Sequence, residues 1–324
     1  MNQTLRALAL LALGVFAAVA HTQVQVFPDK PVRLIVGGGP GSFPDQVARR
    51  MGERLSNVWG QQVVVENRTG AAGSQSMTAL LQAAPDGYTL ALATMSTLVF
   101  NPYLFHTLPY DPQRDLLPVG TLFSGSMMIV AHPSLSVNSL TELVALARAK
   151  PGGIDFAVPG NGSPPHVVLA MLMDATRASF SVVPYKTGSE AVVQVTGGQV
   201  PLFIDAVPVV AKLVEAGRLK ALAVTGHQRM AQFSSVPTVA EQGYPDFRGE
   251  AWMGLVARTG TPVAVVNKIN ADLAQILNSA GMQQYFETTG GRVLITTPED
   301  FTALVRTDSE RWGRVIKAIG MRID

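Results

Sequence analysis

The chain contains no cysteine. That excludes a disulfide framework, a thiolate-bound zinc or iron–sulfur centre, a thiol nucleophile and a lipid anchor on an N-terminal cysteine. Charge is sparse as well. There are 25 Lys and Arg against 23 Asp and Glu, a formal net charge of +2, and no basic run. A nucleic-acid binder would cluster Lys and Arg on one face, so no nucleic-acid partner is expected. The five histidines stand at 21, 106, 132, 166 and 227, with no pair at metal-ligand spacing. H-E-x-x-H, the Walker A loop and G-x-S-x-G are all missing, so neither metal nor cofactor is expected. Beyond residue 20 no apolar run reaches eighteen residues, short of what a membrane-spanning helix needs.

What is present begins with an export signal. Arg6 is followed by fourteen apolar or glycine residues, Ala7–Ala20, ending Ala18-Val19-Ala20. A positively charged start, an apolar stretch and a small-residue cleavage site read as a signal peptide. The stretch is too short to span a bilayer, which takes about 20 residues. Cleavage near Ala20 and an exported mature protein are expected. At 324 residues the whole chain has the length of about two domains.

The mature sequence alternates strand-like and helix-like segments. Pro31–Val36, Gln62–Glu66, Tyr88–Ala93, Leu117–Leu122, Met127–Ala131, Asp155–Val158, Ser181–Pro184, Leu202–Asp205, Ala221–Thr225 and Trp252–Ala257 read as strands. Pro44–Val58 has apolar residues at 47, 48, 51, 55 and 58, a helical spacing. Gly73–Ala84, Ser139–Lys150, Pro165–Asp174, Ser189–Thr196, Val209–Ala216, Val263–Asn278 and Pro298–Ala318 follow as helices, with Ser139 and Glu142 placed for a capping box. Repeated β-α-β units predict an α/β fold with mostly parallel sheet and helices on both faces.

In such folds ligands sit beyond the carboxyl ends of the strands. Two glycine-rich loops run there into helices that start with proline: Gly37–Asp45 and Pro159–His166. Glycine permits close backbone approach, and free N–H groups with the helix dipole favour an anion. Either loop alone reads better as a tight strand–helix connection without a ligand; two together point to a cleft gripping a small carboxylate or phosphate. Thr94–Thr97, Tyr185–Gly188 and Asp205 also follow strands. A dinucleotide fingerprint fails on glycine phase, because Pro44 or Ser42 stands where the third glycine belongs. Trp252 suits either a core or a cleft wall.

The chain also resembles the Bug receptors, periplasmic solute-binding proteins of tripartite tricarboxylate transporters. The likeness runs through Pro31-Val32-Arg33-Leu34-Ile35-Val36, Val63-Val64-Val65-Glu66-Asn67-Arg68, Ala84-Pro85-Asp86-Gly87-Tyr88, Leu108-Pro109-Tyr110-Asp111-Pro112, Gly160-Asn161-Gly162-Ser163, Val183-Pro184-Tyr185-Lys186 and Val236-Pro237-Thr238. The resemblance implies a two-lobed periplasmic binding protein of the type II arrangement, with the ligand cleft between lobes and no chemistry of its own. Lobe one would be 27–124 plus 246–324, lobe two 125–245, with hinges near 118–127 and 245–255. Carried over, the ligand-binding positions are Gly39, Gly41, Ser42, Phe43, Asp45, Thr94, Ser96, Thr97, Gly160, Asn161, Gly162, Ser163, His166, Tyr185, Lys186 and Asp205. The implied partners of this monomer are a small carboxylate, two membrane permease subunits and, in some members, a sensor kinase. Phe43, Pro44 and Ala206 replace more polar family residues, which predicts an acid with an apolar body. The rival reading is an exported α/β enzyme acting on a small anion through His166 or Lys186.

Overall fold

A computed structural model describes residues 27–323. The expected signal peptide lies outside the described residues. The chain builds two sheets. The first holds β1 (Val32–Val36), β2 (Val63–Asn67), β3 (Thr89–Thr94), β4 (Leu116–Gly125), β10 (Ala251–Arg258) and β11 (Gly291–Val293), in the order β11-β4-β10-β3-β1-β2. The second holds β5 (Met127–Ala131), β6 (Asp155–Val158), β7 (Ser181–Pro184), β8 (Leu202–Ala206) and β9 (Lys220–Val224), in the order β7-β6-β8-β5-β9.

Both faces of each sheet are covered, and the pleat divides the side chains between them. On β1, Ile35 joins one apolar layer while Leu34 and Val36 join the other. One layer over the first sheet is closed by α2 (Ser74–Leu81) and α10 (Pro298–Ala318), the other by α1 (Phe43–Trp59), α8 (Val263–Leu277) and α9 (Ala280–Thr288). The second sheet lies between α4 (Leu140–Ala149) with α5 (Pro164–Thr176) and α6 (Gly188–Thr196) with α7 (Val207–Glu215). A single π-type turn, Ser96–Phe100, runs into the short α3 (Asn101–Leu104). These last two elements and α9 carry too few apolar repeats to be seen as helices in the sequence.

The expectation of mostly parallel sheet needs correction. Among the described residues four strand pairings are parallel and five antiparallel. The reason is topological. The chain crosses from the first sheet to the second between Gly125 and Met127, and returns into β10 after Gly249. Both crossings arrive at the carboxyl ends of the parallel strands. A strand entering from that end must run against its neighbours, as β5 does against β8 and β9, and β10 against β3 and β4. Thr225 ties the crossings together: its Oγ1 accepts the Met127 N–H (2.9 Å) and donates to the Gly249 carbonyl (2.8 Å).

Helix starts are where sequence and structure agree most closely. Ser42, Ser139, Ser163, Thr187 and Thr297 all cap, each accepting the N–H three residues on. The capping box at α4 is modified. Glu142 accepts from the Asn138 N–H (2.7 Å) rather than from that of Ser139.

Candidate functional site

Three helix starts face the space between the sheets, and they differ in what they offer. At α5 nothing remains. Its first two residues, Pro164 and Pro165, have no N–H. The Gly162 N–H donates to His166 Nδ1 (3.1 Å), Ser163 N–H to the Gly160 carbonyl (3.3 Å) and His166 N–H to Ser163 Oγ (3.3 Å). At α1 the Gly41 N–H donates to Asp45 Oδ2 (2.9 Å), the Ser42 N–H to the Gly39 carbonyl, and Pro44 has none, which leaves Phe43. At α6 the first-turn N–H groups of Gly188 and Ser189 have no partner among the described residues. Of the three starts α6 keeps the most unpartnered first-turn N–H groups; α5 is closed by its own cap and prolines, while the Gly160 and Asn161 N–H groups of the loop before it have no partner among the described residues.

Opposite lies a segment that no sequence signal singled out, Thr69–Gly73. Ala71 and Ala72 both have left-handed backbone (φ 47° and 49°), a conformation that costs energy for a residue with a Cβ. A buried network holds it. Asn101 Nδ2 reaches the Ala72 carbonyl (3.3 Å), Ser74 Oγ (3.1 Å) and the Tyr110 hydroxyl (3.1 Å), and that hydroxyl donates to the Thr97 carbonyl (2.7 Å). Burial pushes the Tyr110 hydroxyl well above its ordinary pKa, so it stays protonated.

These loops enclose a cavity of about 660 Å³. Of the residues expected from sequence, Gly39, Ser42, Phe43, Thr94, Ser96, Thr97, Gly160, Asn161, Ser163, Tyr185, Lys186 and Asp205 line it. Gly41, Asp45, Gly162 and His166 do not. Asp45 is buried beneath the first loop. Burial works to raise its pKa, but hydrogen bonds from Arg49, Asn67 and the Gly41 N–H outweigh that and hold it below the usual range. Asn67 completes the brace, donating to the Gly38 carbonyl and to Asp45 Oδ1 (both 2.8 Å). His166 sits behind the second loop, where burial lowers its pKa to about 4 and keeps it a neutral acceptor for Gly162. It is not positioned for chemistry in the cavity.

One wall is apolar. Phe43 lines the cavity and packs edge-on against Phe123 (5.0 Å between centroids), so it serves the core and the cleft together. Trp252 does the same. Its ring meets Phe301 at 5.3 Å and its Nε1 donates to Asp308 Oδ2 (2.6 Å). The halves also touch directly. Ser96 Oγ donates to the Gly162 carbonyl (2.9 Å), and Ile323 closes over the same glycine. Ile323, Ser126 and Phe105 reach the cavity from other parts of the chain and had no local signal, whereas Thr187 belongs to the Tyr185–Gly188 loop singled out in the sequence.

The profile of the tripartite tricarboxylate transporter family receptors matches residues 47–321. The chain belongs to this family. Receptors of this family are periplasmic solute-binding proteins, not enzymes. Protein BugT of Bordetella pertussis is 33% identical over 328 residues, covering 100% of both chains. Among solved structures, R. palustris Rpa4515 with adipate is 30% identical with a TM-score of 0.88, covering 92% of this chain and 100% of that one. MatC from Rhodopseudomonas palustris with bound malate is 27% identical with a TM-score of 0.83, covering 90% and 100%. The two-lobed fold of the family is the fold found here, with the first sheet in one lobe and the second in the other.

Proposed function

We propose that this receptor captures a small carboxylic acid with an apolar body between its lobes and delivers it to a membrane permease. The lobes are taken as 27–124 plus 246–324 and 125–245, and the mature monomer as periplasmic after cleavage near Ala20. The observation that carries the reading is the cavity itself: both lobes line it, and Phe43, Leu92, Phe123, Trp252 and Met253 form one side. Ligand contact with both lobes is what lets binding favour the closed form. The Gly188 N–H at the start of α6, with Lys186 two residues before it on the same wall, suits the carboxylate. The aromatic wall suits the body, at about 25 cal/mol per Å² of apolar surface buried. The related adipate-bound structure supports an acid with a methylene middle.

Calorimetry on wild type and Phe43→Ser tests this with aliphatic, aromatic and tricarboxylic acids. Burying about 100 Å² on the ring contributes roughly 2.5 kcal/mol before ordering costs. The expected outcome is tighter binding of the apolar acids than of citrate, and a weakening of about tenfold for them in Phe43→Ser. Tight citrate binding that ignores the substitution would overturn the reading.

A further inference from the structure

Asp205 ends β8 at the floor of the cavity and is only 6% exposed. Its Oδ1 is occupied by the N–H of Ala206 (2.7 Å). Its Oδ2 lies so close to Gly188 that a Cβ there would overlap it, and among the described residues it accepts no hydrogen bond and joins no ion pair. The elements packed against Asp205 bring few charges. β5 places Met128 opposite it, and β6 is followed by Pro159. The α6 start carries Tyr185, Lys186 and Glu190, and the last of these is turned to the Lys186 N–H. A carboxylate oxygen that has no protein donor and keeps its remaining surface on the cavity side is open to a donor carried by the cavity's occupant.

We propose that the occupant of this cavity carries, besides its carboxylate, a hydrogen-bond donor that meets Asp205 Oδ2: a hydroxyl, an ammonium or an amide N–H. This rests on the reading of the cavity as a carboxylate site and narrows its ligand to bifunctional acids. Gly188 is part of the same device. Any side chain there would cover Oδ2 and close it off from the ligand. Burial pushes Asp205 up to about 7, as expected for a carboxyl that lacks a partner until a ligand supplies one.

The geometry makes the test sharp. In Asp205→Asn the amide oxygen must stay on the Ala206 N–H, so the NH₂ group turns to the cavity. An acceptor becomes a donor. Titration calorimetry would compare hexanoate, 2-hydroxyhexanoate, 6-hydroxyhexanoate, 6-aminohexanoate and adipate on wild type and Asp205→Asn. In wild type a hydroxy or amino acid should bind about tenfold or more tighter than hexanoate, in keeping with a charge-assisted hydrogen bond. In Asp205→Asn that preference should vanish and adipate should gain on the others. Asp205→Ser, which keeps a short oxygen beside Ala206, repeats the loss if the amide variant folds poorly. Equal binding of hexanoate and the donor-bearing acids, or an unchanged ranking in both variants, would overturn the inference while leaving the carboxylate site standing. Binding of none of the five acids would instead strike the carboxylate reading itself.

Discussion

Two buried titratable residues at this site pull the stability of the protein in opposite directions. His166 titrates near 4 in the folded chain against an ordinary 6.5, because burial disfavours its charged form. Its contribution is present above pH 6.5 and is lost as pH falls toward 4, when the unfolded chain takes up the proton first. Asp205 is raised from 3.8 to about 7 by burial. Its contribution is present at low pH and is lost as pH rises through about 7. Between pH 4 and 6.5 the two effects oppose each other, each worth at most about 1.4 kcal/mol per pH unit. Denaturant unfolding across that range should show stability rising more steeply with pH in Asp205→Asn than in wild type. In His166→Gln it should rise less or fall. Parallel slopes in all three proteins would show that neither group is buried as described.

At the scale of elements, the second loop packs closely against residues on the other side of the cavity. Gly162 has a left-handed backbone (φ 68°), and a Cβ there would meet Ile323 Cδ1 at 2.8 Å, Leu104 Cδ1 at 3.1 Å and Ala72 Cβ at 3.2 Å, all from the other lobe. Gly162→Ala should therefore hinder closure and weaken binding of the acid selected above by about tenfold, or 1.4 kcal/mol. Gly217 supplies the control. It has nearly the same φ (67°) but nothing within 4 Å, so Gly217→Ala carries the backbone strain without the contact. It should cost stability and leave affinity unchanged; equal loss of affinity in the two variants would refute the closure role.

The same elements show what could be read in advance. Proline near the starts of α1 and α5 is a local signal, and both helices begin where it stands, each capped by the preceding serine. Whether a capped helix still has N–H groups to offer depends on what its own loop consumes, and that is settled by three-dimensional contacts such as His166 on Gly162. The Thr69–Gly73 segment was illegible for a related reason. Two alanines carry no sign that Asn101 and Tyr110, about thirty and forty residues away, hold them in a left-handed turn. Strand direction was hidden as well, since hydrophobic runs such as those of β5 and β10 read alike whichever way the chain arrives.

For the whole molecule, the two crossings are where the chain passes between the sheets, and Thr225 joins them with no exposed surface. Thr225→Val removes the acceptor of the Met127 N–H and the donor to the Gly249 carbonyl while conserving shape. Leaving two buried backbone groups without partners should cost about 1–3 kcal/mol in unfolding, with recovery in Thr225→Ser. A loss below about 0.5 kcal/mol, the level of an unremarkable surface change, would count against the clamp.

The place where the chain changes sheets also sets a timetable. All five strands of the second sheet come from one uninterrupted stretch, 127–224, whereas the first sheet lacks β10, the strand between β3 and β4, until residue 258. During synthesis from the N-terminus, the later-starting sheet is the first to have all its strands. The earlier one waits with Leu92, Ala93, Phe123 and their neighbours unpaired on the side β10 will fill. An interrupted chain ending near residue 245 would thus hold a complete second lobe attached to an open, adhesive half-sheet.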